Sequence, residues 1–192
     1  MADEFDYIII GAGSAGCVLA NRLSAGDATV CLLEAGGRDI NPMIHIPAGF
    51  MKTLTDKRVN WLFQSEPGEG TAGRRIPAPR GKVLGGSSSI NGHVYNRGPH
   101  NDFNTWSQLG NRGWSYADVL PYFKRSENRI GDGDDGYHGH DGEPAVTDTD
   151  DHDPPCAAFI DCVENMRHPP NPAYNPAQQA VACYILRTII TR

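Results

Sequence analysis

Three glycines and one acid mark the first place where this chain could do chemistry. Gly11, Gly13 and Gly16 stand in "GAGSAG", and Glu34 follows 18 residues after the last of them. Gly-x-Gly-x-x-Gly is a spacing that suits phosphate. The first glycine permits a tight turn, the second keeps a side chain out of a pyrophosphate's way, and the third lets a helix lie close to a strand. Ser14 and Ala15 lie where that helix starts, so unbonded N–H groups and the positive dipole end face the anion. A carboxylate about 20 residues on accepts from a ribose 2′-hydroxyl and repels a 2′-phosphate, and Glu34 fits that role. FAD and NAD both satisfy the pattern, and NADP does not.

A second bare segment follows at Gly81–Tyr95, "GKVLGGSSSINGHVY". Gly85-Gly86 permits close main-chain approach, and Ser87, Ser88 and Ser89 can cap a helix or donate to phosphate. Asn91 and Gly92 tolerate backbone conformations that present N–H groups to a ring. Arg80 and Lys82 add positive charge beside the loop. Two such segments suit a ligand longer than one nucleotide. If the second were only a turn before a short helix, an NAD-dependent dehydrogenase would be the alternative.

The elements that must position these residues are legible as pattern. "FDYIII" is a nearly continuous apolar run that predicts a strand buried on both faces. Val18, Leu19 and Leu23 recur at helical spacing, with Gly26 placed to end the helix, and "ATVCLLE" predicts a second buried strand closing on Glu34. Strand, glycine turn, helix, strand and acid make the first βαβ unit of a Rossmann-like α/β dinucleotide-binding fold.

On these residues the chain resembles the glucose–methanol–choline (GMC) oxidoreductases, closest to their choline-dehydrogenase-like members. The resemblance rests on "DYIIIGAGSAGCVLANRLS" with "LLEAGG", and on "PRGKVLGGSSSINGHVYNRG" at Pro79–Gly98. "NWLFQSEP", "WSYADVLPYFKRSE" and "YHGHDGE" add to it. It implies a flavoprotein that oxidises a primary alcohol, choline or another, by hydride transfer to FAD. By position, Gly11, Gly13, Ser14, Ala15, Gly16 and Glu34 would hold the ADP half. Gly86 and Ser87 belong to the same cofactor site, and Val83 with the main chain of Asn91, Gly92, His93 and Val94 would lie along the flavin. Some relatives attach FAD through a histidine at the position of Ile90, so dissociable FAD is expected, with His93 a wall residue.

Composition narrows the partners. Of 192 residues, 39% are hydrophobic and 21% charged, the balance of an ordinary globular chain. Seventeen Lys and Arg against 23 Asp and Glu give a net charge of −6, which argues against nucleic acid and anionic membrane surfaces. Cys17, Cys31, Cys156, Cys162 and Cys183 are odd in number and scattered, as free thiols in a reducing compartment are. No run reaches the roughly 18 apolar residues of a membrane span, and the acidic start lacks the features of a signal peptide. The expected location is cytoplasmic, with the full-length enzyme possible at the inner-membrane periphery, where a quinone, a dye or oxygen would accept electrons.

Downstream, Pro99–Leu109 and Ser115–Glu127 read as helices capped at Asn101 or Asp102 and at Ser115, with Pro121 a kink. Their aromatics, Phe103, Trp106, Trp114, Tyr116, Tyr122 and Phe123, read as core. Ile130–Asp153 holds nine acids and no Lys or Arg and reads as a solvated connector, with His138, His140, Asp141 and His152 on a surface loop and no metal expected. "PCAAFIDCVENM" predicts an amphipathic helix, "RHPPNPAYNPAQQ" a loop, and "AVACYILRTII" a strand. The expected organisation is residues 1–153 as the N-terminal part of the FAD-binding domain and 154–192 as the start of a truncated substrate-domain region. The family's catalytic histidine is expected downstream of Arg192, so no catalytic residue is assigned. A non-enzymatic remnant is the remaining alternative.

Overall fold

The computed structural model describes residues 4–149, 153–166 and 183–189. The chain divides into two compact units, Met1–Gly92 and His93–Arg192, and each is described by itself.

The first unit opens with a parallel strand–helix–strand: β1 (Tyr7–Ile10), α1 (Ser14–Leu23) and β2 (Val30–Leu33). Tyr7 to Ile10 pair in register with Val30 to Leu33. Asp6 ties the far end, accepting from the Thr29 N–H at 2.7 Å and its hydroxyl at 2.8 Å. Gly16 has Ile9 beneath it, so α1 covers that side of β1. The expectation that β1 is buried on both faces is corrected: Ile9 is 8% exposed, but Ile8 is 63% and Ile10 87% exposed. Alternate residues of a strand face opposite ways. Among the described residues the sheet has two strands, with α1 packed on the Ile9 side. Gly26 does not end α1 either; the last turn closes at Ser24, whose N–H donates to the Ala20 carbonyl at 3.1 Å.

The chain continues through two short helices, α2 (Pro42–His45) and α3 (Phe50–Thr53), and an antiparallel pair, β3 (Phe63–Gln64) and β4 (Pro77–Ala78). The second glycine segment then forms a 3-10 turn, Gly86–Ser89. Val83, Val59 and Ile90 make the buried cluster under it, with Ile44 against them.

In the second unit, β5 (Val94–Tyr95) precedes α4 (His100–Gln108) and α5 (Tyr116–Ser126). Ser115 caps α5 as expected, in a capping box with Asp118. For α4 the expected caps at Asn101 or Asp102 are corrected: the N-cap is Pro99, and Asp102 lies in the first turn, where its charge suits the helix dipole. The aromatics are only partly core. Phe103 meets Trp106, Tyr116 and Phe123, and Tyr116 is buried, but Tyr122 is 68% exposed and Trp114 50%. Strand β6 (Asn128–Arg129) pairs in parallel with β7 (Ala145–Val146), α6 (Pro154–Asn165) follows, and β8 (Leu186–Arg187) pairs with β5. Of the strand expected at 180–190, residues 180–182 and 190 lie outside the described residues, as does the loop expected at 167–179 and His152.

The acidic stretch is a solvated connector only in part: its described acids are exposed, but other residues of it are buried. His138 is 2% exposed, and its Nδ1–H donates to Glu127 Oε1 at 2.8 Å. Glu127 Oε2 accepts from Arg97, whose guanidinium also donates to the Tyr137 carbonyl at 2.5 Å. Arg129 is likewise buried and donates to the Asp132 carbonyl at 2.7 Å and to Asp148 at 2.6 Å. Buried cations need fixed acceptors, and the acid-rich loop supplies them. Net charge along the sequence could not show that a loop with exposed acids also covers buried arginines and a buried histidine.

His140 sits at the loop's surface. Its Nδ1 donates to the Arg129 carbonyl and its Nε2 to Asp135, both at 2.9 Å. An imidazole donating from both nitrogens is the cation, and the Asp135 bond, then the Arg129 bond, raises its pKa above the ordinary value of 6.5. A raised folded-state pKa adds stability below the unfolded value, and this is lost as pH rises through the folded one. NMR titration is expected to place His140 above 6.5, and Asp135→Asn to bring it down. A midpoint unmoved by that substitution would break the assignment.

Candidate functional site

The first unit holds a cleft of about 560 Å³ at the C-terminal ends of β1 and β2, lined by Ile10, Gly11, Gly13, Leu33, Glu34, Ala35, Trp61, Arg80, Gly81, Gly86 and Ser87. That volume falls within the range of small-ligand sites. Both glycine segments reach it. The Gly85 N–H donates to the Ala12 carbonyl at 2.8 Å, and the Gly11 N–H to Leu33 at 2.7 Å.

Two glycines are indispensable to this approach. A Cβ on Gly16 would sit 1.9 Å from the Gly11 carbonyl oxygen, so only glycine lets α1 start this close to the turn. Gly86 has φ of +58°, and its Cβ would stand 2.8 Å from Gly13 Cα. The two main chains therefore touch where each lacks a side chain. Glu34 is held in the same place: Oε2 accepts from the Ala12 N–H and Oε1 from the Gly36 N–H, each at 2.8 Å. Each carboxylate oxygen keeps lone-pair capacity for a further donor, and the two main-chain bonds fix the acid's orientation at the cleft.

Of the expected residues, Gly11, Gly13, Glu34, Gly86 and Ser87 line one cleft. Ser14 and Ala15 form the exposed first helical turn above Gly16, where the N–H groups have no intrahelical acceptor. Val83 is fully buried, main chain included, its carbonyl accepting from the Gly86 N–H at 2.7 Å, and it does not line the cleft. Asn91 and Gly92 are exposed at the end of the first unit. His93 and Val94 belong to the second unit, where His93 adopts φ of +63° and its carbonyl accepts from the Thr188 N–H at 3.0 Å. Trp61 is a wall that the glycine pattern did not include. It reaches the cleft because the chain pairs Asn60 with Gly81, an antiparallel bridge spanning 21 positions. Neither residue type announces that pairing, so no local signal marks Trp61.

All five cysteines are free thiols. Among the described residues, no three His, Cys, Asp or Glu side chains gather to hold a metal, and no helix is long and apolar enough to cross a membrane.

The model of the GMC oxidoreductase family, in its N-terminal part, matches residues 5–184. The chain is 49% identical over 177 residues to the oxygen-dependent choline dehydrogenase of Rhizobium rhizogenes, covering 92% of this chain and 32% of that protein. It thus spans about a third of the length of the curated relatives it matches. Among solved structures, pyridoxine 4-oxidase from Mesorbium loti superposes with a TM-score of 0.90 at 33% identity, covering 97% of this chain and 37% of that one. An FAD-dependent oxidoreductase from Chaetomium thermophilum gives 0.81 at 26% identity, covering 97% and 34%. FAD is the cofactor that the family match and these flavoenzyme neighbours support, and the α/β fold expected from the sequence is the fold of those neighbours. The chain belongs to the GMC oxidoreductase family.

Proposed function

We propose that this chain is the FAD-binding N-terminal portion of an enzyme that oxidises a primary alcohol, choline or a close analogue. The observation that carries the reading is the cleft in which two side-chain-free segments meet beside an oriented carboxylate. The residues present fit the ADP half of the cofactor. Glu34 would accept from the ribose hydroxyls, the first turn of α1 (Ser14, Ala15, Gly16) would face the pyrophosphate, and Gly86 and Ser87 would close the opposite wall.

Bound FAD would supply the hydride acceptor. The chain's own residues bind and orient. Val83, Asn91, Gly92, His93 and Val94 are proposed as flavin neighbours on the resemblance alone. Ile90, 2% exposed in the core, is no attachment point, which favours non-covalent FAD. No residue is assigned as the general base that the substrate hydroxyl needs, so cofactor binding, not turnover, is the activity to test in this chain. Residues 1–153 as the cofactor-binding part and 154–192 as the start of the substrate region remain our proposed functional division. The compact units of the fold divide elsewhere, after Gly92. A cytoplasmic location is favoured by the free thiols, with electrons passed to a quinone or another acceptor.

Titration with FAD and with NADH tests the reading. FAD is expected to bind and to give a yellow protein, NADH to bind far more weakly, and Glu34→Ala to weaken FAD about 10- to 100-fold, as for a lost charge-assisted hydrogen bond. Tight NADH binding without FAD binding would reverse the assignment.

A further inference from the structure

We propose that Arg80 reads the diphosphate of the bound nucleotide and so sets this cleft's preference for adenosine diphosphates over adenosine. The inference rests on the nucleotide-binding reading above and deepens it. The two cations beside the glycine segment, Arg80 and Lys82, are equivalent in sequence terms, and the fold separates them. Lys82 is absent from the residues lining the cleft; its Nζ lies over the Trp61 ring, 4.5 Å from the centroid. Arg80 lines the cleft, and among the described lining residues it is the one cation and Glu34 the one acid.

The remaining lining sorts by chemistry in the same way. Ile10 and Leu33, register partners at the ends of β1 and β2, and Trp61 offer apolar surface to a base. Gly11, Gly13, Gly81, Gly86 and Ser87 offer main chain and one hydroxyl. Ser87 Oγ already accepts from the Gly81 N–H at 3.0 Å, which leaves its proton to donate. A ligand with a flat base, a diol and two phosphates matches apolar wall, carboxylate and cation together. Adenosine lacks the part that would engage Arg80.

Arg80 is also built to hold its place. Its N–H donates to Asn60 Oδ1 at 3.1 Å, and its carbonyl accepts from the Trp61 N–H at 2.9 Å. Asn60 is 2% exposed, donates to the Leu54 carbonyl at 2.9 Å, and accepts from the Leu62 N–H at 2.9 Å. From that clamped main chain the side chain is exposed, with Nη1 donating to the Pro79 carbonyl at 2.7 Å. A guanidinium carries five N–H donors in a planar fork that matches phosphate, so one internal bond aims the fork without exhausting it.

The experiment titrates the 192-residue chain with ADP, AMP and adenosine by calorimetry and by Trp fluorescence, for wild type, Arg80→Gln, Arg80→Lys and Lys82→Gln. Trp61 shares the cleft and reports occupancy, while Trp106 and Trp114 belong to the second unit. Arg80→Gln is expected to weaken ADP about 10- to 100-fold, with adenosine unchanged. Arg80→Lys, keeping charge without the fork, should fall between, and Lys82→Gln should match wild type. An Arg80→Gln protein that holds ADP as wild type does would overturn the inference, as would one losing ADP and adenosine equally. If Arg80→Gln keeps full FAD affinity, this inference alone fails. A wild type that binds neither FAD nor ADP fails the nucleotide-binding reading first.

Discussion

Gly86→Ala is expected to remove FAD binding from this chain while leaving it folded. Two costs coincide at the position. With φ of +58°, an L-residue incurs roughly 1–2 kcal/mol of backbone strain. Its methyl carbon would then stand 2.8 Å from Gly13 Cα, a main-chain atom that cannot swing aside. Overpacking of this kind costs about 1–3 kcal/mol when the neighbours yield. They yield by separating the Gly11–Gly16 turn from the Gly81–Ser87 wall, and a cleft widened there no longer contacts a pyrophosphate from both sides. Loss of more than roughly 100-fold in FAD affinity follows if about 3 kcal/mol of the combined cost falls on the bound form. Fluorescence titration of FAD measures it, and circular dichroism confirms the fold. Gly26→Ala is the matched control: nothing lies within 4 Å of its Cβ position, so it should bind FAD normally. Equal FAD affinity in Gly86→Ala and wild type would mean that the two segments are not apposed in solution.

The same contact shows what the sequence made legible and what it withheld. Gly11, Gly13, Gly16 and Glu34 are ordered by one local rule, so strand, turn, helix and acid could be placed before any fold was known. That Gly85-Gly86 would meet Gly13 followed from a chemical need, two walls for one long ligand, and the main chain realises it. Burial was less readable. "YIII" looks fully buried as a string, yet Ile8 and Ile10 face outward, because burial depends on what packs on each side of the sheet. The 130–149 segment misled in the opposite sense. Its acids are exposed as composition suggests, yet the Asp148 carboxylate and the Asp132 carbonyl serve a buried Arg129, and His138 is buried beside Glu127. Charge counts do not reveal counter-ions that arrive from distant positions. Trp61 entered the cleft through an equally distant pairing.

Glu127→Ala is expected to unfold the second unit at room temperature or bring it close to that point. The carboxylate is fully buried and both oxygens are engaged, one by Arg97 and one by His138. Arg97 is itself 4% exposed and lies over the rings of Phe123, at 5.1 Å, and Tyr95, at 5.8 Å. Burial raises the Tyr95 and Tyr116 phenol pKa values, and the Arg97 charge opposes that rise. Deleting the acid therefore leaves a buried guanidinium without its carboxylate, beside the Phe123 and Tyr95 rings and with neutral acceptors such as the Tyr137 carbonyl. Breaking a buried pair by removing one partner costs about 3–5 kcal/mol, against roughly 5–15 kcal/mol for a whole domain. Urea denaturation followed through Trp106 and Trp114, both in this unit, reads the loss as a lower midpoint. Arg97→Met combined with Glu127→Met should be less harmful than the two single changes added together, because no unpaired guanidinium or carboxylate remains; the shortfall is expected at about 0.5–3 kcal/mol. A Glu127→Ala protein with the wild-type midpoint would show that this network is solvated and contributes little to the fold.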